Sequence, residues 1–315
     1  MAIFLREDDV RRFLPIEEAV EAVEQGFREM GDGTGVNMPR SRTQAGGMGV
    51  TMMVSALGNL GVGGFKTMTA GKAIVMLYGG EPHQLLAVIE AGRLGQLRTG
   101  AASGVATRHM ARENASSVGI IGTGFQARTQ LAAVCAVRSI RTVKAYSRTP
   151  ERREEFCQRM SSDLGIEVTP TSSAQEAVQE TDIVIVMTNV RTLDPVLLGD
   201  WLEPGMHINA AGANSLGRRE LDDAAVTRCS IIATDAKDQA KLECADLAVP
   251  IGLGLLDWDP VLELGQVVTG RAPGRTSAND ITLFESQGIA LEDVVAAAHI
   301  FERAKAEGAG EPLPF

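Results

Sequence analysis

The chain has 315 residues, 44% hydrophobic and 22% charged, with 30 basic against 40 acidic side chains for a net charge of −10, which is a globular composition with room for two cores. The acidic excess excludes nucleic acid as the main partner, because a phosphate backbone wants a basic surface. Four cysteines without C-x-x-C spacing and four histidines without paired ligand spacing predict no metal centre, and the mixed-charge N-terminus and the lack of a long apolar run predict a cytoplasmic protein with no membrane partner.

Pro15 opens a helix with Ile16, Ala19, Val20, Val23, Phe27 and Met30 on one face. Residues 31–49 read as a glycine-rich loop holding Arg40 and Arg42, which form either a solvated basic patch or an anion clamp. From Val50 to Glu90 short β-like runs alternate with glycine turns, predicting a small mixed or antiparallel sheet. Lys66 lies in the second run, either on a solvated face or pointing into a cleft where desolvation would lower its pKa. Gly95 to Arg112 is helical and rich in small residues. Arg98 near its start adds a cation where the helix dipole is already positive, which calls for an anion, and His109 reads as a bystander.

Val118 to Arg148 reads as one βαβ crossover. Gly122, Gly124 and Ala127 occupy G-x-G-x-x-G/A positions between a β-rich run and a helical one, so Gly122, Thr123, Gly124, Phe125 and Gln126 are expected to cradle a dinucleotide pyrophosphate. The second strand ends in Ser147, Arg148 and Thr149, with no carboxylate before Glu151. That favours NADP(H), with NAD(H) possible, because a guanidinium and hydroxyls hold a 2′-phosphate that a carboxylate would repel. A doubly wound pattern continues through strands at Ile166–Thr169, Asp182–Met187, Met206–Ala211 and Ser230–Asp235. Their carboxyl ends place Thr188, Asn189, Gly212, Ala213, Asn214 and Asp235 at the cofactor crevice. A last strand at Asp280–Ser286 leads to a closing helix, Leu291 to Lys305, while residues 252–274 read as loop.

PRSRT (Pro39–Thr43), GGFK (Gly63–Lys66), RTGAASG (Arg98–Gly104), IIGTGFQA (Ile120–Ala127), PGMHINAAGANSLGRREL (Pro204–Leu221) and DITLFESQGIALEDV (Asp280–Val294), in this order, resemble the ornithine cyclodeaminase/mu-crystallin family over nearly the whole chain. The resemblance implies an α/β architecture in which a Rossmann-type doubly wound domain (115–286) is inserted into a second α+β dimerisation and substrate domain (1–114 plus 287–315), and it implies a homodimer. By position, Lys66 would hydrogen-bond or protonate the substrate, and Arg42 and Arg98 would grip its carboxylate, with Arg40 the competing assignment for Arg42. Members that deaminate or cyclise ornithine, and similar archaeal alanine dehydrogenases, carry an aspartate where this chain has Asn214. An amide orients and hydrogen-bonds but cannot act as a general base. The resemblance therefore points to an NAD(P)H-dependent reductase of imino acids, acting on a small carboxylate-bearing imine or amino acid. The alternatives are an ornithine or lysine cyclodeaminase, an alanine dehydrogenase-like enzyme, and a non-catalytic NADPH-binding protein.

Overall fold

The computed structural model describes residues 1–314. β1 (Ile3–Leu5) leads into α1 (Glu7–Phe13), a helix too short to register as a period in the sequence. α2 (Ile16–Asp32) buries Ala19, Val20, Val23 and Phe27, the face its periodicity predicts. The stretch expected as a loop instead contains β2 (Gly35–Asn37) and β3 (Ser41–Ala45), and β3 forms a hairpin with β4 (Met48–Leu57). All β3 positions are exposed, so no apolar alternation marks that strand. β5 (Val62–Thr69), β6 (Lys72–Gly79) and β7 (Gln84–Glu90) complete the predicted run of strands, and α3 (Gly92–Met110) follows.

The second half alternates strand and helix. β8 (Ser117–Ile121), α4 (Ala127–Val137), β9 (Thr142–Tyr146), α5 (Pro150–Leu164), β10 (Glu167–Pro170), α6 (Ala174–Val178) and β11 (Ile183–Val186) come first. β12 (His207–Ala210), α7 (Asp223–Thr227), β13 (Ile231–Thr234), α8 (Lys237–Glu243) and α9 (Ala245–Gly252) follow. The region expected as loop holds β14 (Leu262–Glu263) and α10 (Leu264–Val268), elements too short to show a period. β15 (Thr282–Glu285), α11 (Ala290–Ala306) and β16 (Glu311–Pro312) end the chain.

Two eight-stranded sheets result. The first runs β16-β1-β7-β6-β5-β4-β2, with β3 paired to β4, and is mixed: β1 lies parallel to β7 while the other pairs are antiparallel. The second is parallel throughout, in the order β10-β9-β8-β11-β12-β15-β13-β14. This is the Rossmann-like arrangement, and strand order reverses between β8 and β11, the place where such sheets open a crevice at their carboxyl ends. One apolar core lies between the first sheet and α2, α3 and α11, and the two faces of the parallel sheet hold two more.

α3 joins the two parts. Thr129 Oγ1 on α4 donates to Gln96 O at 2.9 Å and Gln130 Nε2 to Thr99 O at 3.1 Å, which holds the Arg98 turn of α3 beside the helix that follows the glycine motif. Among the described residues, no helix is long and apolar enough to cross a membrane.

Candidate active site

β8 runs into the turn at residues 122–126. Gly122 has φ of 104°, and a Cβ there would collide with the Met187 carbonyl, so the turn needs glycine. At Gly124 a Cβ would meet nothing within 4 Å, so the backbone there has the open space a pyrophosphate needs in order to approach. No side chain caps α4, so its first-turn N–H groups are available to an anion. Thr123 Oγ1 donates to Ser147 Oγ at 2.8 Å and ties the turn to the end of β9. These residues fit a dinucleotide. Ser147, Arg148 and Thr149 border the same cleft, joined by Arg152 from α5, whereas Glu151 is exposed and does not border it.

The facing wall is cationic. Lys66 lies in a row across the first sheet with Met53 and Val75, both buried, so it points toward α3 and α11 rather than to solvent. Its Nζ donates to Asp293 Oδ1 at 2.9 Å. The same oxygen accepts Arg98 Nε at 3.0 Å, and Arg98 Nη1 reaches Glu292 Oε2 at 2.7 Å. α3 begins at Gly92, so Arg98 lies in its second turn rather than at its start as the sequence suggested, and the anions that pair with it come from the start of α11. Burial pushes the Lys66 amine down to about 8, with the Arg98 and Arg40 charges adding to the fall and Asp293 opposing it. Burial also works against the Arg98 charge, but Asp293 and Glu292 outweigh it and hold the guanidinium above its ordinary range. The Glu292 carboxyl is pushed up to about 7 by burial, against the pull of Arg98.

Arg40 and Arg42 have no carboxylate near them in the sequence, yet both meet Glu243 at the end of α8. Arg40 Nη1 donates to Glu243 Oε2 at 2.8 Å and Nη2 to the carbonyls of Gln287 and Gly288 at 2.9 and 2.6 Å, with 4% of the side chain exposed. Arg42 pairs with the other Glu243 oxygen, and its Nη2 donates to Asn214 O at 3.3 Å. Its side chain is 45% exposed and borders the cleft. Arg40 is tied into the protein, whereas Arg42 keeps an open edge.

Thr188 and Asn189 follow β11, and Gly212 and Asn214 follow β12, all bordering the cleft. Two strand-end expectations need correction. Asp235 turns inward instead of facing the crevice: it is fully buried and accepts the N–H groups of Ala236, Gln287 and Gly288, because the segment after β15 folds over the end of β13. Ala213 is likewise buried.

A single cleft of about 1280 Å³ therefore gathers the glycine turn, residues 147–149, Thr188, Asn189, Asn214, Lys66, Arg98, Arg42 and Arg40. Sequence reasoning missed Asp293, Glu292, Glu243 and Arg152. Glu292 and Asp293 sit in the first turn of α11, where acidic residues ordinarily complement the dipole, so nothing in the sequence marks them as partners of distant cations.

The profile of the ornithine cyclodeaminase/mu-crystallin family matches residues 2–308. The chain is 39% identical over 243 residues to a Delta(1)-pyrroline-2-carboxylate reductase of Bacillus cereus, an overlap of 77% of this chain and 74% of that one. The structure of Thermococcus litoralis Delta(1)-pyrroline-2-carboxylate reductase in complex with NADH and L-proline superposes with a TM-score of 0.92 at 33% identity, over 99% of this chain and 100% of that one. An archaeal alanine dehydrogenase dimer with bound NAD superposes with a TM-score of 0.91 at 31% identity, over 100% and 99%. With its fold, its glycine turn and its motif order all in agreement, the chain belongs to the ornithine cyclodeaminase/mu-crystallin family.

Proposed function

We propose that this chain is an NAD(P)H-dependent reductase that converts an imino acid, either a cyclic ketimine or a 2-imino acid, to the amino acid. One observation carries the reading: a dinucleotide turn and a cationic wall face one cleft, and an amide, Asn214, stands where deaminating relatives would need a base. A bound nicotinamide supplies hydride to the carbon of the C=N bond. Arg42 and Arg98 orient the substrate carboxylate, and Lys66 donates the proton that the nitrogen takes up as the amine forms. Once its nitrogen is protonated the C=N bond is activated toward hydride, so beyond that proton the protein's tasks are positioning and charge complementarity.

Arg148 and Arg152, with the hydroxyls of Ser147 and Thr149, support NADP(H) as the preferred nucleotide, with NAD(H) also accepted. Residues 115–286 form the nucleotide domain, and residues 1–114 plus 287–315 form the substrate domain. A homodimer is supported by a row of side chains on the face of the first sheet opposite Lys66. Val54, Phe65, Met76 and Val88 pair in sequence across β4 to β7, all apolar and all partly exposed in the single chain. The four cysteines are unpaired, in keeping with a reducing cytoplasmic compartment.

The test is a panel of pyrroline-2-carboxylate, piperideine-2-carboxylate and 2-oxo acids with ammonia or an amine, each offered with NADPH and with NADH. Nucleotide oxidation with at least one member is the expected result, and silence across the panel ends the proposal. Ammonia release from ornithine or lysine without added nucleotide would instead favour the cyclodeaminase reading.

A further inference from the structure

Two segments that border the cleft, one after β11 and one after β12, are pinned together by a single residue outside the cationic wall. Glu220 is fully buried. Its Oε1 accepts Thr188 N at 2.7 Å and Thr188 Oγ1 at 2.5 Å, and its Oε2 accepts Gly212 N at 2.8 Å and Ala213 N at 3.0 Å. Its main-chain carbonyl accepts Val196 N at 2.8 Å and Leu197 N at 2.9 Å. Behind it, Glu220 N and Leu221 N both donate to Asp246 Oδ1, at 2.9 and 2.7 Å. A Cβ at Gly212 would collide with this carboxylate and with the Thr188 carbonyl, so the segments close only because residue 212 lacks a side chain.

The placement is costly. Burial pushes the Glu220 carboxyl up to about 7, against the donors of Thr188 and Gly212, and the neighbouring Asp246 charge adds to the rise. A carboxylate nevertheless suits the position because all four donors need acceptors, and its two oxygens provide them. A glutamine has one acceptor oxygen and would turn its own N–H groups toward two of the donors. The residues held also point to a purpose. The glycine turn and Arg148 lie at the ends of β8 and β9, in the first half of the doubly wound sheet. Thr188, Gly212 and the Asn214 loop lie at the ends of β11 and β12, in the other half, which in such folds receives the second nucleotide.

We propose that Glu220 is a positioning residue for the nicotinamide half of the cofactor, clasping the ends of β11 and β12 and the loop that carries Asn214. The inference rests on reading the cleft as an NAD(P)H site, and it adds a division of labour within that site. The adenylate half depends on the glycine turn and the Ser147–Thr149 strand end, and the nicotinamide half depends on the clasp.

Calorimetric titration of wild type, Glu220→Gln and Glu220→Asp with whole and half cofactors tests it. NADPH is paired with its adenylate half, 2′-phospho-AMP, and NADH with AMP. In both variants the whole cofactor should bind about tenfold more weakly while the adenylate half stays within about twofold of wild type. The aspartate variant keeps the charge but shortens the arm, so it reads the clasp even if the amide variant folds poorly. Equal weakening of whole and half cofactor, or no change in either, overturns the clasp. Wild-type protein that binds none of the four ligands overturns the nucleotide site itself, an outcome separate from a failed clasp.

Discussion

Lys66 Nζ lies 2.9 Å from Asp293 Oδ1, and neither side chain is more than 4% exposed. Burial and two nearby guanidinium groups drive the ammonium toward its neutral form while the carboxylate holds it charged, so the amine titrates at about 8 rather than in the usual lysine range. The lysine is protonated below that pH and neutral above it. Reductive turnover, which needs the proton, should be full below about pH 8 and decline above it, and amine oxidation should rise through the same range. Asp293→Asn removes the charge that raises the amine, so the reductive limb should move to lower pH. Rate profiles in both directions check this, and a limb that stays in place in the variant would remove Asp293 from the role.

Lys66→Met should lower reductive kcat by roughly 10²–10⁴, the usual contribution of a positioned proton donor, while NADPH affinity measured by fluorescence stays near wild type. The variant takes one cation from Asp293, but Arg98 remains on the same oxygen, so the buried carboxylate keeps a charged partner. Turnover within about tenfold of wild type would mean that protonation does not depend on this amine.

Sequence patterns are local, and the site is assembled only partly from local features. β5 reads as a short β-like run between glycine turns, α3 as a helix of small residues and the glycine turn as a local motif, so Lys66, Arg98 and Gly122 could all be named from the chain alone. What joins them is not local. Glu243 reaches back to Arg40 and Arg42, and Asp293 reaches back to Lys66 and Arg98, through packing between elements far apart in the chain. The exposed strand β3 and the short pair β14 and α10 carry no hydrophobic period, and for that reason they read as loop. Asp235 shows the opposite error: a strand-end rule places it at the crevice, but the segment after β15 covers it.

Arg40 and Arg42 should separate cleanly on mutation. Arg42→Ala removes a partly exposed cation at the cleft, so KM for the imino acid should rise about tenfold or more with little change in melting temperature. Arg40→Ala breaks a buried pair and strips two carbonyls of their donor, so it should destabilise the fold by roughly 3 kcal/mol. Thermal melts and substrate saturation curves on both variants check this, and a KM effect confined to Arg40→Ala would exchange the two assignments.

Nucleotide choice should depend on the cations beyond β9. Replacing Arg148 and Arg152 together with serine leaves the glycine turn untouched and removes the two guanidinium groups beside Ser147 and Thr149. NADPH should then bind about tenfold or more weakly while NADH binding changes little, because only the former carries the 2′-phosphate. Parallel losses for both nucleotides would show that these arginines act on the pyrophosphate or on the fold rather than on the ribose.

Val54, Phe65, Met76 and Val88 form an apolar row on the outer face of the first sheet. Each of these residues neighbours one of a second row, Met53, Lys66, Val75 and Ile89, that is buried on the opposite face, so the outer row is apolar although the core lies on the other side of the sheet. A sheet with one solvated face would alternate apolar with polar residues, so the departure marks a face that another surface covers. In the homodimer proposed above, a second copy of the chain would supply that surface by symmetry. Phe65 stacks on Tyr78 near the middle of the face, with ring centroids 6.3 Å apart, so Phe65→Asp would place an unpaired charge within the contact. Sedimentation should show a dimer for wild type and a monomer for the variant. Because Lys66 follows Phe65 on the same strand but points the other way, NADPH should still bind the monomer, and a variant that stays dimeric would move the contact to another face.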